Sequence, residues 1–305
     1  MTRSKSASGI VVFRPESGQL MRLVLTLLRD TERVYVYVNK VIDPDDLARL
    51  QALGAQVIHA AANFGVAEGL NTLALAARLD GFDRILLMDQ DSRLPDGLAA
   101  RLGRAMDDLR ATGVACAAVG PQPAAMSVDY KAPRYFRDRR HAALGVVVPV
   151  LYLITSGTLL DLAAFMRVGT FRSDFFIDAI DTEWCFRARA VGFSVWCVSD
   201  EHMTHPVGDG VIRPRWLGST FPRQRVFRYY SYFRNQAYCL RLPHVPLWWR
   251  IQCAAHLLRV GLVLSLSGKS ELSVGACLLP AVWSGLRCRL GPPPGAEEVI
   301  YLPGR

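Results

Sequence analysis

The chain has 305 residues, 51% of them hydrophobic, and a formal net charge of +9. A chain of this length and composition can bury a full core, which excludes an intrinsically disordered protein and a small disulfide-stapled one. Its seven scattered cysteines include no Cys-x-x-Cys pair, and no signal-peptide core follows the basic residues near the N-terminus. We therefore expect a cytoplasmic protein.

Strand and helix patterns alternate through the first half of the chain. Short β-branched or aromatic runs predict strands at residues 10–13, 34–38, 56–58 and 85–88. The stretches between them predict helices at 19–29, 44–53 and 69–79. This alternation indicates an α/β fold with a Rossmann-like, mostly parallel sheet between helices. In such a fold, ligands bind beyond the carboxyl ends of the strands.

The fourth predicted strand ends in Asp89-Gln90-Asp91-Ser92. Because side chains alternate along a strand, Asp89 and Asp91 leave it in the same direction, while Gln90 points elsewhere. Two carboxylates suit Mg²⁺ or Mn²⁺, which keep their other coordination positions for water and substrate phosphates. The motif favours a nucleotide or nucleotide-sugar enzyme, although a strand-ending turn with Asp caps explains it equally well.

A helix at 98–111, a strand at 114–119 and a Pro- and Arg-rich loop at 120–145 come next, and we expect the loop to lie over the site. Extended chain at 146–155 and a helix at 159–168 follow. Residues 173–189 then resemble the start of a helix with acids in its first turns. On such a helix Asp178, Asp181 and Trp184 share one face, where the Trp ring could stack on a sugar. Ordinary capping is the alternative.

The last third of the chain carries the whole positive excess. Residues 213–305 contain 13 Lys and Arg against 3 acids, whereas residues 1–212 contain 23 against 24. The apolar runs in this part have Trp and Arg flanks and are interrupted too often by charge to span a membrane, so they suit peripheral attachment to an anionic membrane surface. Packing on the domain or on a second subunit of a homo-oligomer is the alternative.

Taken in order, these motifs resemble the family-2 inverting glycosyltransferases of the GT-A fold, and among them the bacterial rhamnosyltransferases. The resemblance covers roughly residues 10–290, and the acidic motif at 176–187 is its most specific part. The other matching motifs are Asn63-Phe64-Gly65 with Asn71, residues 89–92, Ser156-Gly157, His205 with Gly208-Asp209, and the aromatic segment 229–235.

The resemblance implies a GT-A domain at residues 1–240, with a nucleotide-sugar half at about 1–120 and an acceptor half at about 121–240. A membrane-association region at 241–305 would follow. Asp89 and Asp91 would bind the nucleotide-sugar and its metal, Mg²⁺ or Mn²⁺, with His205 completing the metal shell.

For catalysis, the resemblance makes Asp181 the general base, with Asp178 as the alternative base. Glu183 and Trp184 would line the acceptor site. Further substrate-binding residues would be Asn63, Gly65, Asn71, Ser156 and Gly157. Helical spacing adds a face that could close over the diphosphate, formed by Arg228, Tyr232 and Asn235. Capping, turn formation or an exposed helix surface explains several of these residues as well.

Two departures from the family pattern leave the nucleotide open. Arg14 stands where the family has Asn after the first strand, and Val38-Asn39-Lys40 lacks the Asp that usually ends the second strand. Both positions lie near the base and ribose pocket in the family. Arg14 and Lys40 could contact phosphate or an acceptor instead.

We therefore expect an inverting enzyme that moves rhamnose from dTDP-rhamnose, or another deoxysugar, to a hydroxyl of a lipid-linked or polysaccharide acceptor at the cytoplasmic face of the membrane. The alternatives are a metal-dependent nucleotidyltransferase and a non-catalytic protein that binds membranes or nucleic acid. Nucleic acid is disfavoured because the basic residues alternate with long apolar runs, not with the exposed aromatics that stack on bases.

Overall fold

A computed structural model describes residues 4–124, 134–204, 211–212, 221–266 and 269–296. The chain forms two compact units. The first comprises Met1–Phe171 and Asp181–Pro206, and the second comprises Arg172–Ile180 and Val207–Arg305. The second unit thus takes in residues before 241, where we placed the start of the C-terminal region.

An eight-stranded mixed sheet forms the centre of the first unit. The strands are β1 (Ser6–Val12), β2 (Arg33–Asn39), β3 (Gln56–Ala60), β4 (Arg84–Asp89), β5 (Cys116–Ala124), β6 (Val147–Val150), β7 (Thr158–Asp161) and β8 (Ser194–Thr204). Their order across the sheet is β3-β2-β1-β4-β7-β5-β8-β6. β1 runs parallel to both β2 and β4, β2 parallel to β3, and β5 parallel to β8, whereas β6 and β7 pair antiparallel with their neighbours.

Helices cover both faces of this sheet, which confirms the predicted α/β architecture. The helices of the first unit are α1 (Ser17–Asp30), α2 (Pro44–Ala52), α3 (Gly65–Leu79), α4 (Leu98–Ala111), α5 (Leu162–Val168) and α6 (Ile180–Ala190), the last beginning at the junction with the second unit. Side chains at even positions of β4, Leu86 and Met88, join a core with α1 and α4. Ile85, at an odd position, lies on the opposite face beside Leu73 of α3.

The predicted helix at 159–168 was wrong in its first turn. Thr158–Asp161 is instead β7, a fully buried strand inserted between β4 and β5. Asp161 ends the strand and caps α5, because its Oδ1 accepts a hydrogen bond from the Ala164 N–H at 2.6 Å. β5 also continues to Ala124, so the predicted loop at 120–145 starts later than expected. Residues 125–133 of that loop lie outside the described part of the chain.

The second unit is helical apart from the short pair β9 (Val211–Ile212) and β10 (Phe221–Pro222). Its helices are α7 (Val226–Cys239), α8 (Leu247–Leu266) and α9 (Lys269–Leu286). α9 passes very close to α7 at Gly285, where an added Cβ would lie 2.1 Å from the Arg234 carbonyl oxygen. Only glycine permits this approach. No helix within the described ranges is long and apolar enough to cross a membrane.

Candidate active site

The turn at the carboxyl end of β4 is fixed by the side chain between the two aspartates. Gln90 Oε1 accepts a hydrogen bond from the Phe13 N–H at 2.7 Å, and Gln90 Nε2 donates to the Phe13 carbonyl at 3.2 Å. The amide therefore joins the end of β4 to the chain that follows β1. Gln90 thus serves the backbone, and it lies with Asp91 in the turn that follows β4.

Two buried serines support the same turn from below. Ser156 Oγ accepts from the Asp89 N–H at 3.0 Å and lies 2.8 Å from Ser92 Oγ. On the opposite side, Gln19 Nε2 donates to the Asp91 carbonyl at 2.6 Å. Ser156 thus has a positioning role in this structure. The backbone carrying Asp89, which is half-buried, and Asp91, which is exposed, is held at several points.

Gly157 completes this support. Its N–H donates to the Leu87 carbonyl at 2.8 Å, its φ is +81°, and an added Cβ would lie 2.6 Å from the Met203 sulfur. Any other residue would be strained here for both reasons. Ser156-Gly157 is therefore a turn that seats the Asp89–Asp91 backbone.

Asp181 lies on the same side of the sheet as Asp89. It lines a small cavity in the first unit together with Leu87, Thr155, Thr158 and Trp184. Leu87 and Asp89 are two positions apart on β4 and so point to the same face. The first unit therefore brings the predicted base and the first strand-end carboxylate to one face of β4.

The charge of Asp181 affects its neighbours. Burial raises the pKa of Tyr135 well above its usual value, and the charge of Asp181 adds to that effect. Burial likewise raises the pKa of the Cys185 thiol, again with help from Asp181. Tyr135 Oη accepts from the Ile154 N–H at 3.1 Å. Asp181 therefore lies close to two groups whose neutral forms are favoured.

The part of the predicted covering loop at residues 134–145 is bonded to the end of α6. The buried Asp138 carboxylate accepts hydrogen bonds from Arg140 and Arg189. Burial alone would raise the pKa of Asp138, but these bonds outweigh it and hold the pKa below its ordinary value. This loop, including Tyr135, is thereby anchored next to the helix that carries Asp181.

The acidic segment does not begin as a helix, and this corrects the prediction. Residues 173–175 form one 3₁₀ turn and α6 starts only at Ile180. Between them, Phe176, Asp178 and Ala179 have φ values of +65°, +66° and +63°, in the left-handed region. Asp178 therefore does not share a helical face with Asp181 and Trp184.

Trp184 and Glu183 are core residues of the first unit, whereas we predicted that they line the acceptor site. The Trp184 ring is 1% exposed, packs against Phe165 and Phe171, and donates from Nε1 to the Gly169 carbonyl at 2.8 Å. Glu183 is equally buried and accepts two hydrogen bonds from Arg187, at 3.1 and 2.9 Å. Both side chains position α6. The Trp184 ring is not exposed, so it cannot stack on a sugar as we predicted.

The asparagines of the Asn63 to Asn71 motif bind backbone. Asn63 Oδ1 accepts from the Gly65 N–H at 3.1 Å, and Asn39 at the end of β2 holds the same turn. The buried Asn71 uses both ends of its amide on Phe171, at 2.8 and 2.9 Å. Asn71 thus fixes the chain just before the acidic segment.

The predicted diphosphate-binding face of α7 does not form. Asn235 is fully buried, and Tyr232 packs edge-on against Phe233 and His256. Arg228 forms an ion pair with Asp178 at 2.7 Å. These side chains of the second unit contact protein groups, because α7 is packed on the acidic segment rather than exposed along that face.

Asp89 and Asp91 fit a divalent cation by their chemistry. They are hard oxygen donors on a fixed backbone, and Mg²⁺ commonly uses one or two carboxylates with substrate phosphates. Within the described ranges, no group of three or more His, Cys, Asp or Glu side chains could hold a metal by itself. The predicted third ligand, His205, and the neighbouring Gly208-Asp209 lie outside those ranges.

Several residues that shape the site were not predicted from the sequence to do so. Gln19 and Tyr135 belong to no motif, and each acts through a single contact with distant backbone. Asn39 carried a signal, since it is a polar residue at the end of a buried strand. Its position at a carboxyl strand end could have identified it as a loop-positioning residue.

Comparison with known proteins gives one curated relative and solved structures of similar fold. No family model matches the sequence. The dTDP-rhamnosyl transferase RfbF of Shigella flexneri is 28% identical over 251 residues, which are 78% of this chain and 80% of RfbF. S. aureus TarS 1-349 in complex with UDP-GlcNAc superposes with a TM-score of 0.58 at 12% identity, over 92% of this chain and 81% of TarS 1-349.

A second solved structure has the same fold. GalNAc-T7 with UDP, GalNAc and Mn²⁺ superposes with a TM-score of 0.56 at 14% identity over 83% of this chain. The match spans 54% of GalNAc-T7, so about half of that protein has a counterpart here. The mixed sheet matches the GT-A fold of these solved structures, and by its similarity to RfbF and to them the chain is a glycosyltransferase.

Proposed function

We propose that the protein is an inverting glycosyltransferase that moves rhamnose from dTDP-rhamnose to a hydroxyl of a lipid-linked or polysaccharide acceptor. The observation that carries the proposal is the cavity that Asp181 lines together with Leu87, which lies two positions before Asp89 on β4. The similarity to RfbF, which is named a dTDP-rhamnosyl transferase, supports the choice of donor.

The chemistry requires charge of two signs to be stabilised. As the bond between the anomeric carbon and the diphosphate oxygen breaks, the sugar becomes positive and the diphosphate becomes more negative. Asp89 and Asp91 would hold Mg²⁺ or Mn²⁺, which supplies charge stabilisation for the leaving diphosphate when bound. The Mn²⁺ in the GalNAc-T7 complex supports this choice of metal.

Asp181 acts on the acceptor. Its carboxylate takes the proton from the acceptor hydroxyl while that oxygen forms the new bond to the anomeric carbon. Because a single displacement attacks the side opposite the leaving group, the configuration inverts. Asp178 is less suited to this role, since Arg228 already occupies one of its oxygens.

The donor base should be read by residues at the ends of β1 and β2. Arg14 and Lys40 both have left-handed φ values, +50° and +85°, and the Arg14 guanidinium lies 5.3 Å from the centre of the Phe13 ring. Non-glycine residues in this conformation often mark functional positions. We therefore assign nucleotide contacts to these two residues.

Thermal unfolding with a panel of nucleotide sugars tests the proposal. At a concentration 100 times Kd, a donor should stabilise the protein by about 2.7 kcal/mol, which corresponds to several degrees in Tm. We expect dTDP-rhamnose with Mn²⁺ to give this shift, and UDP-GlcNAc, UDP-GalNAc and GDP-mannose to give less. An unchanged Tm with every nucleotide sugar would contradict the proposed activity.

We also propose that the second unit attaches peripherally to the cytoplasmic face of the membrane. α8 and α9 bury one side against α7, and each exposes apolar residues on the other side. Leu258 is 76% exposed and Leu279 is 81% exposed. The exposed residues form two apolar stripes: Leu247, Ile251, Leu258 and Leu262 on α8, and Leu279, Trp283 and Leu286 on α9. The excess of basic residues after 213 matches anionic lipid.

Sedimentation with lipid vesicles tests this attachment. The parent protein should bind vesicles of phosphatidylglycerol and phosphatidylcholine, and the double variant Leu258→Glu, Leu262→Glu should bind at least about tenfold more weakly, because two exposed apolar side chains no longer enter the lipid. Leu79→Glu is the matched control, since Leu79 is 87% exposed on α3 of the first unit. A parent that forms dimers and ignores the vesicles would make the stripes a subunit interface instead.

A further inference from the structure

The four residues before α6 have a backbone that is costly to maintain. Phe176, Asp178 and Ala179 all have φ near +65°, and none of them is glycine. An L-residue in the left-handed region costs about 1–2 kcal/mol, so three within four positions need compensation from elsewhere. We call residues 175–179 the strained segment.

The compensation comes from one buried side chain of α7. Asn235 Nδ2 lies 3.0 Å from the Phe175 carbonyl, 2.8 Å from that of Ile177 and 3.0 Å from that of Asp178. Asn235 Oδ1 accepts from Arg234 Nε at 2.9 Å, which fixes the orientation of the amide. Asn235 is 0% exposed, so water cannot replace these bonds without opening the core.

Two arginines of α7 reinforce the same segment. Arg234, which is also buried, donates to the Phe175 carbonyl at 3.0 Å and to the Gly291 carbonyl at 2.6 Å. Arg228 holds Asp178 Oδ1 at 2.7 Å. Within the described residues no donor contacts Asp178 Oδ2, so this carboxylate is tied at one oxygen. All these contacts lie within the second unit.

We propose that Asn235 is a positioning residue for the general base. By holding the carbonyls of the strained segment, it fixes where α6 begins, and Asp181 is the second residue of that helix. The inference rests on the proposed role of Asp181. Asn235, which we predicted to contact substrate, instead acts through the backbone. Asp178, which we predicted as the alternative base, likewise helps to hold the strained segment.

Transfer kinetics with Asn235→Ala test the proposal. Removing the amide takes the Asn235 donor from the carbonyls of Ile177 and Asp178, while the Phe175 carbonyl keeps its bond from Arg234. The first turn of α6 then shifts or becomes mobile. We expect kcat for transfer from dTDP-rhamnose to octyl glycoside acceptors to fall at least about tenfold, because small misplacements of a reacting group are costly. The dTDP-rhamnose Kd should stay within about twofold, since Asp89 and Asp91 belong to β4.

A second substitution separates positioning from simple loss of stability. Ala179→Gly removes only a methyl group and makes φ near +63° easy to adopt. Added to Asn235→Ala, it should restore a large part of kcat. Asn235→Ser, which keeps one donor, should be intermediate and serves if the alanine variant fails to fold. An unchanged kcat, or a parallel loss of donor affinity, would overturn the proposal.

Hydrogen exchange gives a readout that does not depend on transfer. Asn235→Ala should speed amide exchange in residues 175–183, and Ala179→Gly should slow it again. Unchanged exchange at the start of α6 would refute the positioning role even if the protein bound no nucleotide sugar. Faster exchange in Asn235→Ala, combined with no sugar transfer by the parent, would count against the proposed function alone.

Discussion

Replacing Asp181 by asparagine is expected to lower the turnover of sugar transfer at least about a hundredfold, with donor affinity nearly unchanged. The amide has almost the size of the carboxylate and can still accept the hydrogen bond from the Thr182 N–H, which is 2.7 Å long in the parent. The local fold should therefore survive. What the variant loses is the ability to take a proton, and a general base typically contributes about 10² to 10⁴ in rate.

The Asp181 variant should be measured by transfer from dTDP-rhamnose to octyl glycosides and by thermal shift with the donor. Asp45→Asn is the matched control, because it makes the same chemical change at an exposed carboxylate on α2 of the first unit. Equal rates for variant and parent would remove Asp181 from the mechanism.

The second large effect is expected at the strand-end carboxylates. Asp89→Asn and Asp91→Asn should each lower transfer by about 10² to 10³, and chelation of divalent cations by EDTA should have a comparable effect on the parent. The reason is electrostatic, since the leaving diphosphate gathers negative charge that needs a fixed cation. Unlike Asp181→Asn, these variants should also lose the stabilisation by dTDP-rhamnose with Mn²⁺.

Asp96→Asn provides the matched control for this pair. It lies five residues beyond Asp91, is exposed, and receives the same substitution. Calorimetric titration of Mn²⁺ in the presence of dTDP would show binding by the parent and by the control, and little by the two variants. Full activity after EDTA treatment would contradict a metal-assisted reaction and leave the aspartates with a structural role.

The parts of the fold that follow from local pattern were predictable. Strand alternation and helix caps indicated the β1 to α4 region, because those signals act over a few residues. The short strand β7 was not predictable in this way. In the sequence, Thr158 to Asp161 continues without a break into the apolar start of α5. These residues form a strand because they pair with β4 on one side and β5 on the other, and no local pattern shows this pairing.

The predicted start of α6 was wrong for a different reason. Its acids looked like helix caps, but Asn235 and Arg234, more than fifty residues later, hold Phe176 to Ala179 in a conformation that no local preference favours. Trp184 was misjudged for a related reason. Its neighbours Phe165 and Phe171 come from an earlier part of the chain, so its burial is a property of the packed unit and not of the motif.

The close passage of α9 over α7 at Gly285 has a consequence for the tail of the protein. Arg234 lies under that crossing and also binds the Gly291 carbonyl, while the Gly291 N–H donates to the Asp174 carbonyl at 2.7 Å. α9, which exposes leucine and tryptophan on its outer side, therefore packs against the helix that holds the strained segment. In the mechanism that we propose, the inner side of α9 contributes to the position of the general base, while its outer side is available for docking.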